Sequence, residues 1–303
     1  DCSRKMILGI ILLAVTGACW VIIGAVAGHA ARRNLPVGTV QACSAVLSVL
    51  ISSAVLYCRP NPECAFSIRF WTMASIFGSG FFNYFVIQLM SRAMKTGPNG
   101  IVWATIQSAL IFPFLVGVLC FGVALTIPRL GGLAAIVTAL ALFGLARDNR
   151  VQGSGWKWAA VGSLLLAGIN QNLSNLPSYF PEAAAVGSVS RSLAASLGTL
   201  TAFLIADWRT LPARTAALKN PLMWRYIACL SGSGLVTGYL LMYRGLNLVA
   251  EAGAGAISYP VLVSSCIVSF TLYSIFVLKE KPKPLQLGGL GLALCGIVLI
   301  SLK

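Results

Sequence analysis

The residues able to do chemistry here are amides, hydroxyls, aromatics and one arginine, all set inside long apolar runs. The densest group is Asn170-Gln171-Asn172, followed by Ser174 and Asn175. At 100° per residue Asn172, Asn175 and Tyr179 share one helix face, and Asn170 and Ser174 another. Elsewhere Asn83 precedes Tyr84 and Gln88, which stand at i, i+4; Trp103 and Gln107 repeat that spacing, as do Tyr239 and Tyr243. Tyr259 precedes Pro260, a residue that removes a helix hydrogen bond and kinks a span, which makes it a gating candidate. Trp20 lies deep in the first apolar run, whereas Trp71, Trp156, Trp158 and Trp224 lie near run ends and read as an interfacial belt. Side chains of this kind hold a polar solute by hydrogen bonds and ring contacts. The competing use is bonding between helices, worth about 0.6–2 kcal/mol per contact.

Arg191 is the sharpest single residue. In a helix that begins near Ala183 it stands about 12 Å along the axis, beyond the headgroup layer. A guanidinium at that depth forks onto a carboxylate or phosphate of a substrate, or else pairs with Glu251, Glu182 or backbone carbonyls. The acidic residues are Asp1, Glu63, Asp148, Glu182, Asp207, Glu251 and Glu280, each in a loop or at a run end. No mid-span carboxylate stands ready to carry a proton, so facilitated diffusion or exchange is favoured over proton coupling. There is one histidine, His29, and the nine cysteines contain no C-x-x-C. Neither a nucleophile–base pair nor a metal set is legible, so the expectation is no enzyme, no metal and no cofactor.

The elements that position these residues follow from composition. Of 303 residues 58% are hydrophobic and only 10% charged, against about 25% charged in soluble domains. Mean hydropathy is +0.86. So few charges cannot clothe a soluble surface, and the chain reads as a polytopic membrane protein. The net charge of +15 sits in short clusters between apolar runs, not in an aromatic-interleaved stripe, which argues against nucleic acid. Ten runs approach the roughly 20 residues of a span: near Met6–Gly28, Val37–Cys58, Phe70–Arg92, Asn99–Val123, Arg129–Ala146, Trp156–Leu176, Ala183–Ala206, Trp224–Val249, Ala254–Leu278 and Pro284–Leu302. With no water to satisfy the backbone, such spans are helices, giving an all-α membrane protein of ten transmembrane helices. The first run exceeds the 7–15 residues of a signal-peptide core and reads as a helix.

An internal repeat orders the ten. Val37-Gly38-Thr39-Val40 returns as Val186-Gly187-Ser188-Val189, Gly78-Ser79-Gly80 as Gly232-Ser233-Gly234, and Leu130-Gly131-Gly132-Leu133 as Leu287-Gly288-Gly289-Leu290, at offsets of 149, 154 and 157. Two five-helix repeats, 1–150 and 151–303, follow. An odd helix number makes the second copy enter the membrane from the opposite side, the inverted arrangement of secondary transporters.

With its five-plus-five helices, its polar-then-Gly-Gly-Leu passage into the last helix of each half and the Leu278-Lys279-Glu280-Lys281 turn, the sequence resembles the drug/metabolite transporter superfamily, in its ten-helix EamA-type branch. That turn is similar to the family's Gly-Glu turn, with Lys in the glycine's place. The first-half equivalent, Phe121-Gly122-Val123, lacks the Glu. The resemblance implies a secondary carrier whose central cavity is lined mainly by helices 1, 3, 4, 6, 8 and 9, with helices 5 and 10 peripheral.

The expected function is transport, by alternating access, of a small polar metabolite, most simply one with a carboxylate such as an amino acid. A cationic, choline-like solute in a cage of Trp20, Trp103, Tyr239 and Tyr259 is the other carrier reading, and a non-transporting receptor or scaffold the reading from another class. Expected partners are the substrate and the lipid bilayer of a cell (inner or plasma) membrane, with the chain a monomer or homodimer. Loops on the side of the termini carry 7 Lys+Arg and the opposite loops 14. The positive-inside rule then puts the termini outside, the reverse of what the resemblance implies. Cys58 and Cys64, which flank one short terminal-side loop, would there be in a compartment that permits a disulfide.

Overall fold

Prolines mark where several helices begin. Pro36 and Pro98 precede Val37 and Asn99 in extended backbone, and Pro221 and Pro284 open their own helices, where a missing N–H costs nothing. Asn220 adds a cap, its side chain accepting from Leu222 N at 3.0 Å. In the computed structural model, which describes residues 2–59, 64–145, 155–210, 214, 216–252 and 258–301, every regular element among those residues is helical.

The helices are labelled α1 (Ser3–Arg32), α2 (Val37–Cys58), α3 (Phe66–Thr96), α4 (Asn99–Phe121), α5 (Ile127–Leu145), α6 (Gly155–Asn175), α7 (Ser188–Asp207), α8 (Pro221–Val249), α9 (Ser258–Phe276) and α10 (Pro284–Ser301). Among the described residues seven (α1–α4 and α7–α9) are long and apolar enough to cross a membrane, while α5 and α10 give shorter apolar stretches. The expected boundaries hold closely, with α2 as expected and α3 extended by four residues at each end. The largest shift is in α7. Residues 183–185 belong to a short 3-10 turn (Pro181–Ala185), and the helix starts at Ser188. The expected start of helix 9 at Ala254 and the boundary between the two expected repeats lie outside the described residues.

Three helices are interrupted. The α1 helix breaks at Trp20, and α8 carries a π turn at Val236–Met242. In α4 a 3-10 turn at Ser108–Leu110 precedes Pro113, whose missing N–H cannot reach the Ala109 carbonyl.

The exterior is apolar. Ile7, Ile11, Val15 and Ile22 expose one stripe of α1, and Leu165, Ile169, Leu204, Ile205, Leu272 and Phe276 are exposed on other helices, the surface a hydrocarbon solvent requires. Packing joins the first half to the second: α1 lies on α8 and α9, α2 on α7 and α8, α3 on α6 and α7, α4 on α6, and α5 on α10. Glycine decides the closest crossings. A Cβ on Gly80 would stand 1.9 Å from the Ala195 carbonyl oxygen, and one on Gly198 2.0 Å from that of Phe77, so α3 and α7 meet backbone to backbone. The expected counterparts of Gly78 and Gly80, Gly232 and Gly234, face open space.

Candidate functional site

Two cavities lie end to end between the halves. The central one, about 350 Å³, is walled by α1, α2, α3, α4, α6, α7, α8 and α9. Trp20, Asn83, Trp103, Gln107, Asn170, Tyr243 and Tyr259 are all on its wall. Its polar side chains are knitted across helices: Ser79 Oγ donates to Asn170 Oδ1 at 2.5 Å, Asn170 Nδ2 to Asn83 Oδ1 at 3.4 Å, and Ser174 Oγ lies 3.2 Å from Tyr259 Oη. Two wall groups lack a good partner. Gln171 Oε1 is buried with none, and the buried Trp103 Nε1 has only the Cys266 sulfur, a weak acceptor, beside it. A polar solute supplying a donor and an acceptor would satisfy both. No described carboxylate lines this cavity.

Other expected site residues are engaged elsewhere. Tyr84 Oη donates to Asp207, which also accepts from Arg214 Nη2 at 2.6 Å, at the end of the bundle away from the termini. Gln88 Nε2 reaches Gln41 Oε1 at 3.1 Å, Asn172 Nδ2 donates to its own helix at Gly168 O, and Tyr239 shares a short hydroxyl contact with Ser52. Tyr239 therefore closes no aromatic cage, and Trp103 stacks on Phe270 with centroids 4.7 Å apart. Pro260 is buried near Ser258, the first described residue of α9, and the residues just before Ser258 lie outside the described residues. Cys58 and Cys64 are both free thiols.

The second cavity, about 440 Å³, opens toward the face that carries the chain termini. Its wall includes Pro113, Val123, Arg129, Asn175, Tyr179, Arg191, Ser258, Tyr259 and Pro260. Tyr259 belongs to both cavities. Arg191 lies here and not on the central wall. Because α7 begins at Ser188, Arg191 is only about 4.5 Å into the helix, and the depth expected from its position does not hold. It is nonetheless only 8% exposed, because the preceding 3-10 turn folds over it. Arg191 Nε donates to Val186 O at 3.0 Å and Nη2 to Ala183 O at 2.6 Å, and its guanidinium lies 5.4 Å from the Tyr243 ring centroid. No described carboxylate pairs with it. Glu251 instead meets Lys5 at 3.1 Å, and Glu182 is exposed. Tyr179, in the turn after α6, stacks on Phe121 at 3.8 Å; burial raises its phenol pKa and keeps it a neutral donor.

Several wall residues escaped the reading of the sequence. Gln41, Ser44 and Ser48 on α2 and Ser192, Ser196 and Thr199 on α7 line the central cavity at i, i+3, i+7 and i, i+4, i+7. The helical spacing was visible, but small hydroxyls serve packing equally well. Arg129 is 7% exposed, though its place beside Pro128 reads as a loop charge.

A bundle of apolar helices around a polar cavity defines a multi-pass membrane protein. Residues 183–302 match the EamA-like transporter family, so the second half carries an EamA-like domain, consistent with the drug/metabolite transporter superfamily. A solved crystal structure aligns over 98% of this chain and 96% of its own at a TM-score of 0.61 and 14% identity, a likeness of fold. No curated protein matches the chain.

Proposed function

We propose that the chain is a secondary carrier of ten spans in two inverted five-helix repeats, 1–150 and 151–303, moving a small polar carboxylate such as an amino acid by alternating access. Two features support the repeat. Exchanging each helix with the one five places on maps the inter-half packing onto itself: α3 on α6 becomes α8 on α1, α3 on α7 becomes α8 on α2, α4 on α6 becomes α9 on α1, while α2 on α7 and α5 on α10 map to themselves. In addition, Gly122 (φ 67°) and Lys279 (φ 55°), which follow α4 and α9, are both left-handed, at the same 157-residue offset as the two Leu-Gly-Gly-Leu strings.

The observation that carries the substrate class is Arg191, a buried cation with no described carboxylate partner, one residue before Ser192 of the central wall. A buried guanidinium that meets two carbonyls and a tyrosine ring but no described carboxylate keeps its charge available for an anion. The neutral donors and acceptors of the central cavity would hold the rest of the solute, and rocking of the halves would expose it to each face in turn.

Counterflow in proteoliposomes tests this, using labelled amino acids, organic acids and quaternary amines. Carboxylates should exchange, and Arg191→Gln should reduce their rate about 10-fold or more, the loss of a charge-assisted pair. Exchange of amines alone, undiminished in that variant, would remove the carboxylate reading; exchange of nothing would favour a scaffold.

A further inference from the structure

Glu280 shows what the fold does with an anion at one end of the bundle. Its carboxylate accepts from Asn99 N at 2.9 Å and Gly100 N at 3.1 Å, the first amides of α4. It also accepts from Ser274 Oγ at 2.5 Å and Arg32 Nη2 at 3.3 Å. The positive end of α4, a hydroxyl and a guanidinium thus form a seat, and the α9–α10 turn fills it.

At the opposite end the matching turn follows α4, and the residue at the 157-residue offset from Glu280 is Val123. Val123 lines the terminal-face cavity together with Ser258, the first described residue of α9, and Arg191. Ser258 is 3% exposed and its Oγ has no hydrogen-bond partner. Arg191 is 8% exposed without a described carboxylate, and Arg129 stands on the same wall. No acidic side chain is among the described residues that line this cavity. A hydroxyl and a guanidinium recur; among the described residues the carboxylate does not.

We propose that the terminal-face cavity is a seat for a soluble carboxylate or phosphate group, which takes from solution the place that Glu280 fills within the chain at the other end. The correspondence rests on the inverted repeat proposed above, and the assignment of the seat to substrate rests on the carrier reading. Anion binding itself requires neither transport nor a particular solute. As the outer station of the path, the seat selects by charge before the uncharged central cavity selects by hydrogen bonding.

The test is thermal unfolding of the purified full chain in detergent, titrated with inorganic phosphate and with benzoate at constant ionic strength. Wild type should gain Tm with at least one anion, and Arg191→Gln should lose that gain. Val123→Glu, which supplies the carboxylate from the chain, should abolish the response and raise the Tm of the anion-free protein. Should Arg191→Gln fail to fold, Arg191→Lys and Ser258→Ala, each expected to weaken the response several-fold, replace it. No response in wild type, a Val123→Glu protein of lower Tm that still responds, or stabilisation by phosphatidylglycerol micelles alone would overturn the seat. An anion response in a protein that exchanges no carboxylate keeps the seat and removes the carboxylate substrate. Carboxylate exchange without any anion response does the reverse.

Discussion

At the scale of single residues, the two turns that follow α4 and α9 solve one geometric problem with different side chains. Gly122 takes its left-handed conformation freely, whereas Lys279 carries a Cβ there. Replacing Lys279 with Gly should therefore stabilise the protein by about 0.5–1 kcal/mol, and Gly122→Ala should cost about 1 kcal/mol, both read from thermal unfolding. Next to it, Glu280 is 17% exposed and holds together three segments of chain. Glu280→Ala leaves the first amides of α4 and the Arg32 guanidinium without their acceptor. A loss of about 2 kcal/mol is expected, larger than an exposed ion pair would give. A change within a few tenths of a kcal/mol would show that water replaces the carboxylate without penalty. The turn was legible in the sequence as a motif, but its partners were not, since Arg32 and Asn99 reach Glu280 only through the fold.

Among the elements, the α3–α7 crossing brings bare backbone against bare backbone at Gly80 and Gly198. Gly198→Leu has no space to relax into: the obstacle is the Phe77 carbonyl, not a side-chain tip. It should abolish accumulation of folded protein, while Gly232→Leu, where a Cβ meets nothing within 4 Å, should be tolerated; monodisperse yield in detergent compares the two. The sequence paired the two Gly-Ser-Gly strings, yet only one of them serves a close crossing. A repeated string says nothing of burial, which is set separately by which faces the two halves bring together. Helix ends were legible where proline marked them. The start of α7 was not, since residues 183–185 are as apolar as a helix while Gly187 sits in extended backbone.

For the whole molecule, the placement of charge bears on energetics of transport. The described carboxylates lie at helix ends or loops, and none lines the central cavity. Exchange should accordingly leave the pH of a proteoliposome lumen unchanged and continue undiminished in the presence of a protonophore; substrate-dependent acidification reported by a trapped dye would contradict this. The membrane class and the approximate course of the helices were readable from composition and hydropathy alone. What was not readable is that two cavities meet between the halves and that the buried Arg191 and Arg129 both line the terminal-face one. Both facts depend on which residues of separate helices converge, and helical spacing gives a face without saying what it meets.

The polar run of α6 also bears on how the protein is made. Among the described helices α6 is not one of the seven long and apolar enough to cross a membrane. Its side chains and backbone are met largely by α3, through Ser75 to the Leu173 carbonyl, Ser79 to Asn170, and Ser163 to the Val86 carbonyl. The ribosome completes α3 well before α6 emerges. On the ten-span reading, the earlier helix is then a partner waiting in the bilayer, and Asn170 enters lipid with its hydrogen-bonding neighbours Ser79 and Asn83 already there.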